Sequence, residues 1–254
     1  EHLRRALARR GHAAAGVGVD VVPQPRPREP QPVPAAVQGG APQATVLATG
    51  ERLPAASAAY VNSHLANAID AEDTLTYTAH IAACTVPPAL AIGELMGKSG
   101  AEVLAAIAVG YDVAGRIGLS QQGLRIDEAG ELKFAPVTGY SYAAFAATVA
   151  AGRLVDLDAD KMLYAFGITA ATLPLPSATT FGLALPRPMT KYAMYGTLGE
   201  VGVTAALLAK EGFTGELSAL DGDKGLWRTM GALGCNTQAF TERLGQGWRV
   251  GGVV

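Results

Sequence analysis

Apolar positions recur every three or four residues over most of the chain after Ala44, and few segments alternate every second residue. That period predicts helices. Ala55 to Asp73 mixes small and apolar residues at helical spacing, and Val86 to Met96 forms a second apolar run. Ser99-Gly-Ala-Glu102 has the spacing of a capping box, in which a serine oxygen accepts a free amide and the glutamate reaches back. The helix it opens is expected to place Leu104, Ile107 and Tyr111 on one face. Asp158 or Asp160 can cap a helix through Met162, Tyr164 and Ile168, which Leu173-Pro-Leu-Pro176 must end. Lys191 to Lys210 supplies another helix, closed by Gly212. The fold expected is all-α, with abundant alanine allowing close helix packing. No short-period repeat interrupts it.

Residues 1–43 read differently. They are rich in Arg, Pro, Gly, Ala and Val, and Pro23 to Pro34 holds six prolines. Proline at that density fits neither helix nor sheet. An irregular arm is expected there, after at most one short helix at Glu1 to Arg10, followed by one helical domain over 44–254.

Composition narrows the function classes. The chain has 254 residues, 49% hydrophobic and 17% charged, with a formal net charge of -2. That balance gives no footing for nucleic-acid binding. Ala101 to Leu119 is the nearest approach to a membrane span, but Glu102, Asp112 and Arg116 interrupt it, so no span is expected. Cys84 and Cys235 show no metal or redox spacing, which suits reduced thiols in a cytoplasmic protein. The chain begins at Glu1 without a signal-peptide pattern and reads as a fragment.

One stretch concentrates chemistry. Asp70-Ala-Glu-Asp-Thr-Leu-Thr-Tyr-Thr-Ala-His80 puts three carboxylates, three threonines and a histidine between two apolar runs. Such a stretch suits proton transfer, or simply a solvated connection between helices. His80 is the natural acid/base, with Asp70 able to orient it. Asp70 and Thr74 share a helix face if the helix persists that far, while Glu72 and Asp73 are expected to face solvent. A metal site on Asp70, Asp73 and His80, with Cys84 at i,i+4, is the rival within the enzyme class, and no metal is the preferred reading. No nucleophile elbow appears, and Gly110-Tyr-Asp-Val-Ala-Gly115 lies inside a helix rather than after a strand, so it is no dinucleotide loop.

The order of several segments resembles the MmgE/PrpD family. They are Ala58-Ala-Tyr-Val-Asn62, Asp70-Ala-Glu-Asp-Thr74, His80, Pro87 to Glu94, Gly110 to Arg116, Met189-Thr-Lys191 and Leu207 to Gly215. The resemblance runs from about Gly40 to Gly247. It implies a large helical domain, normally joined to a smaller α+β domain in a homodimer. It also implies cofactor-free chemistry on small carboxylic acids, as in 2-methylcitrate dehydratase, cis-aconitate decarboxylase and iminodisuccinate epimerase. By position, Asp70, Thr74 and His80 match the family's aspartate, threonine and histidine, and Lys191 matches an active-site lysine. In that role Lys191 would clamp a substrate carboxylate or relay a proton. Thr190 could bind a carboxylate or cap its helix; Arg116 and Arg187 are weaker candidates.

Three departures from the family pattern stand out. Where relatives carry a second active-site histidine, this chain reads Lys133-Phe-Ala-Pro136, and no histidine follows His80. Tyr140, Ser141 or Tyr142 could fill that role, Tyr140 and Ser141 being the candidate substrate contacts. Asn67 stands where many relatives have histidine, with His64 one turn earlier. The chain also ends at about the point where the family's small domain begins. The leading expectation is a dehydratase-like lyase acting on a small di- or tricarboxylic acid or related β-hydroxy acid, with decarboxylation or epimerisation as alternatives. A non-catalytic helical scaffold derived from such an enzyme is the reading from a different class.

Overall fold

The computed structural model describes residues 40–75, 80–121, 124–137, 139–176, 188–220, 222–232 and 234–249. The expected Glu1 to Arg10 helix, most of the arm and Arg187 lie outside them. The described chain is all-α in architecture. Its main helices are α1 (Ala55–Asn67), α2 (Val86–Met96), α3 (Gly100–Ser120), α4 (Ala144–Leu154), α5 (Ala159–Thr172) and α6 (Thr190–Lys210). Two one-turn helices follow, α7 (Leu226–Thr229) and α8 (Gln238–Thr241). Two small antiparallel hairpins sit at the edge: β1 (Ala44–Thr45) with β2 (Arg52–Leu53), and β3 (Leu124–Ile126) with β4 (Leu132–Phe134). The helical pattern therefore starts at Ala55, not Ala44. Val46 to Leu53 turns back because Gly50 takes a left-handed conformation at φ 74°.

The helix-end chemistry is as the residues dictate. Ser99 and Glu102 form the reciprocal capping box at α3, and Asp158 accepts the Lys161 amide at α5. Helix α5 stops at Thr172, just before Leu173-Pro174, as a proline requires. Helix α1, however, ends at Asn67 rather than Asp73, and Asp70 turns the chain at φ 56°, a region that aspartate tolerates better than most side chains. Asp70 and Thr74 are thus not on one helix face. On α3 the buried face runs through Val103, Ala106, Gly110, Ala114 and Ile117, and Leu104 is 68% exposed. The small residues win that face because α4 lies against it: a Cβ on Gly110 would meet the Ala146 carbonyl at 2.6 Å.

Helix α6 is the axis of the fold, packed on α1, α4 and α5. It comes close because it has no side chain at the crossings. A Cβ on Gly196 would lie 2.8 Å from the Tyr60 carbonyl, and one on Gly202 2.4 Å from the Ala147 Cβ. Between α4 and α5 the buried hydroxyls of Thr148 and Thr169 lie 2.7 Å apart: one donates to the other, and the second donates to its own helix carbonyl, Ala144 or Ala165. One core cluster gathers Ile81, Tyr111, Ile117, Phe145, Tyr195 and Leu198; another gathers Leu53, Ile92, Val103, Leu154 and Val203.

Helix α3 is long and apolar enough to cross a membrane, yet most of it is buried inside the protein. It also carries the ion pair Asp112–Arg116 at 2.6 Å. Arg116 donates from each of its two terminal nitrogens to a carbonyl, that of Glu242 and that of Gly247, at 2.7 and 2.8 Å. It is a structural pin for 242–247, not a carboxylate-binding residue.

Two outcomes test this packing. Gly202→Ala destabilises the protein by about 1–3 kcal/mol in urea unfolding, because neither α4 nor α6 can yield without moving backbone. Arg116→Met leaves Asp112 buried without its cation and costs about 3–5 kcal/mol. Limited proteolysis of that variant cuts first within 242–249.

Candidate functional site

The cluster forms where the connector after α1 meets the first turn of α6. Lys191 is 4% exposed, far more buried than a surface lysine. Its ammonium donates to Oδ1 of Asp70, whose left-handed turn swings the carboxylate back toward α6. An ammonium has three donors, and Asp70 uses one of them. The other two are chemically competent to hold a carboxylate.

His80 sits on the same connector. Its Nδ1 lies 2.7 Å from the Asp73 carbonyl and 3.2 Å from the Thr74 hydroxyl. A carbonyl only accepts, so Nδ1 carries the hydrogen, and in the neutral ring Nε2 keeps the lone pair. The ring packs against Tyr140 and Tyr195, with centroids at 5.4 and 6.2 Å. Asp70, Glu72 and His80 each offer an atom within 4.8 Å of the others. The tautomer is therefore set by the Asp73 carbonyl, not by Asp70 as the sequence suggests. Asp70 serves the lysine instead.

Glu72 and Asp73 do not face solvent. Asp73 accepts the amides of Ile81 and Ala82 at 3.3 and 2.8 Å, and also the Tyr111 hydroxyl. It folds the connector over the turn Ala82–Cys84 and ties it to α3. The Glu72 side chain is 7% exposed. Its Oε1 accepts from the Asn67 amide, and its Oε2 is buried with no partner among the described residues. Burial pushes the Glu72 carboxyl above the usual carboxylate range; the charge of His80 opposes this only in part. Glu72 is the residue that sequence reasoning missed. Its one available signal was the adjacency of Asn67 and Glu72 across a helix end.

Other candidates resolve differently. Tyr140 joins the cluster through its ring. Ser141 is buried and donates to the Pro174 carbonyl at 2.6 Å, which anchors the turn Gly139–Ala143 instead of reaching for substrate. Tyr142 is buried, and burial raises its phenol. Thr190 is exposed and does not cap α6, whose N-cap is Met189 with no side-chain bond. His64 stacks on Tyr60, with centroids 6.4 Å apart. Cys84 is fully buried, and desolvation pushes its thiol well up, helped by Asp73 and Glu72. A divalent ion on Asp70, Glu72 and His80 would share the Asp70 carboxylate with the Lys191 ammonium.

The model of the MmgE/PrpD N-terminal domain matches residues 15–234. The chain belongs to the MmgE/PrpD family. The match begins inside the proline-rich arm and takes in every cluster residue named above. No curated protein matches the chain. The all-α frame of this MmgE/PrpD domain holds Lys191 on its central helix and His80 on its most polar connector.

The pairings make two asymmetric predictions. Asp70→Ala leaves a buried ammonium uncompensated, whereas Lys191→Met removes the charge and leaves Asp70, which is 35% exposed, in reach of water. Asp70→Ala is therefore the more destabilising, by about 2–4 kcal/mol in chemical denaturation. Glu72 sets a pH dependence. Its folded carboxyl binds a proton more tightly than the unfolded one, so stability falls as pH rises from the ordinary value of 4.5 through the raised one, then levels off. Glu72→Gln, which keeps the acceptor for Asn67, melts at a higher temperature than wild type at pH 7 and at the same temperature near pH 4.

Proposed function

We propose that the chain is a cofactor-free lyase of the dehydratase type, acting on a small di- or tricarboxylic acid or a related β-hydroxy acid. The observation that carries this reading is a buried ammonium bonded to Asp70, with an imidazole of defined tautomer whose ring nitrogen lies within 4.8 Å of that carboxylate. Membership of a family that includes dehydratases supports it.

The chemistry follows from the groups present. Removing a proton beside a carboxylate builds enolate charge, which a cation must meet. Lys191 holds the substrate carboxylate on the donors that Asp70 does not take. Nε2 of His80 takes the α-proton, and the C–H electrons remain on the substrate as an enolate. The enolate then expels the β-hydroxyl as the new C=C forms. The departing oxygen takes the proton back from the imidazolium and leaves as water. One imidazole thus serves as base and then acid, which suits a chain in which Ala135 stands at the position of the family's second histidine. The Tyr140 ring against His80 shields it from bulk water. Thr74 shares the Nδ1 hydrogen and helps to orient the ring.

A homodimer is part of the same proposal. It would cover the apolar hollow of about 520 Å³ that ends at Glu72 and Ala82, where Leu47, Val86 and Leu90 are each more than a third exposed.

The test is solvent exchange. In D2O, a panel of β-hydroxy di- and tricarboxylates is incubated with the protein and followed by NMR. Wild type incorporates deuterium at the carbon next to a carboxylate of at least one acid and releases its alkene. His80→Ala loses roughly 10²–10⁴-fold in rate, and Lys191→Met raises KM. Exchange that persists at wild-type rate in His80→Ala removes the imidazole from the mechanism. No exchange with any acid, together with tight self-association, returns the chain to a scaffold.

A further inference from the structure

Glu72 has no step of its own in that reaction, yet it is held with unusual care. Its carboxyl lies 3.6 Å from Nδ1 of His80, is tethered by the buried Asn67, and keeps one oxygen without a partner among the described residues. A buried carboxylate is expensive unless a positive charge stands nearby. The charged and titratable groups around it sort themselves by contact. On the same connector, Asp70 is paired with Lys191 of α6, and Asp73 is satisfied by two amides and by Tyr111 of α3. From α6 the Tyr195 phenol, and from the turn Ala82–Cys84 the Cys84 thiol, are pushed well up by burial and stay neutral. Tyr140 faces the ring from the turn Gly139–Ala143. Of the three carboxyls beside His80, Glu72 is the one whose hydrogen bonds, to its own backbone amide and to Asn67, leave its burial uncompensated.

We propose that Glu72 is a positioning residue for His80: anchored by Asn67, its carboxyl backs the Nδ1 edge of the ring and stabilises the imidazolium that forms when Nε2 accepts the substrate proton. The inference rests on His80 being the proton-transfer group. It explains why a polar connector buries a carboxyl at a cost to stability: the resting enzyme carries the burden and the charged intermediate relieves it. Asn67 acquires a role as well. At the position where relatives carry histidine, an amide donor holds Glu72 in place.

The test uses two readouts on the full chain, with Glu72→Gln and Asn67→Ala beside wild type. The first is an NMR titration of the His80 ring without substrate. The second is kcat and KM against pH for the acid that exchanges best. In Glu72→Gln the ring signal titrates about one pH unit lower than in wild type. The acid limb of kcat moves the same way, kcat falls roughly 10- to 100-fold, and KM stays within about twofold. Asn67→Ala gives a smaller shift of the same sign, which keeps the proposal testable should Glu72→Gln fold poorly. An unmoved ring titration in both variants overturns the proposal, whatever happens to activity. A shifted titration in a protein that turns over no acid supports the Glu72–His80 pairing and refutes the lyase reading instead.

Discussion

The rest of the structure depends on how closely α6 approaches its neighbours. Glycines at 196, 199 and 202 leave no Cβ where the helix crosses α1 and α4, and the gap between the backbones has no room for one. Backbone contact at that distance fixes the rotation of α6 about its own axis. Rotation decides which residue of the first turn points inward, and here it is Lys191. The site thus begins as a packing result. A lysine becomes an interior ammonium because the helix carrying it has no freedom to turn it outward.

Once an ammonium is buried, a carboxylate must meet it. The helix α1 cannot supply one, because it ends at Asn67. The left-handed turn at Asp70 does so, and everything after it follows from that reversal. The chain runs back beneath His80, Asp73 closes over the next turn, and Tyr111 of α3 clips it down. Three carboxyl groups within four residues then take separate tasks by partner alone. Asp70 answers a lysine, Asp73 answers backbone amides and a phenol, and Glu72 answers an amide and a histidine.

The helical frame was legible in the residues where local chemistry decides. The capping box at Ser99, the aspartate cap at Asp158 and the stop before Pro174 depend on neighbours within a turn, and each formed as read. The ends governed by distant contacts were not legible. Nothing local shows that α1 stops at Asn67, because the reason is a lysine 121 residues away from Asp70. Leu104 reads as core by hydrophobicity, yet α4 presses so closely on α3 that small residues take the inner face. Within the site, resemblance named His80, Asp70 and Lys191, and the structure brings them together. It gives Ser141 to a loop carbonyl and Arg116 to the chain's end. The inward turn of Glu72 has no local signature, since an acidic residue in a polar stretch looks the same whichever way it faces.

Asp73 has a wider consequence. Because one carboxylate fastens the connector to both the turn at Ala82–Cys84 and the hydroxyl of Tyr111, the reactive groups hang from a strap secured at its far end. Losing either tie of Asp73 would therefore displace Asp70 and His80 together.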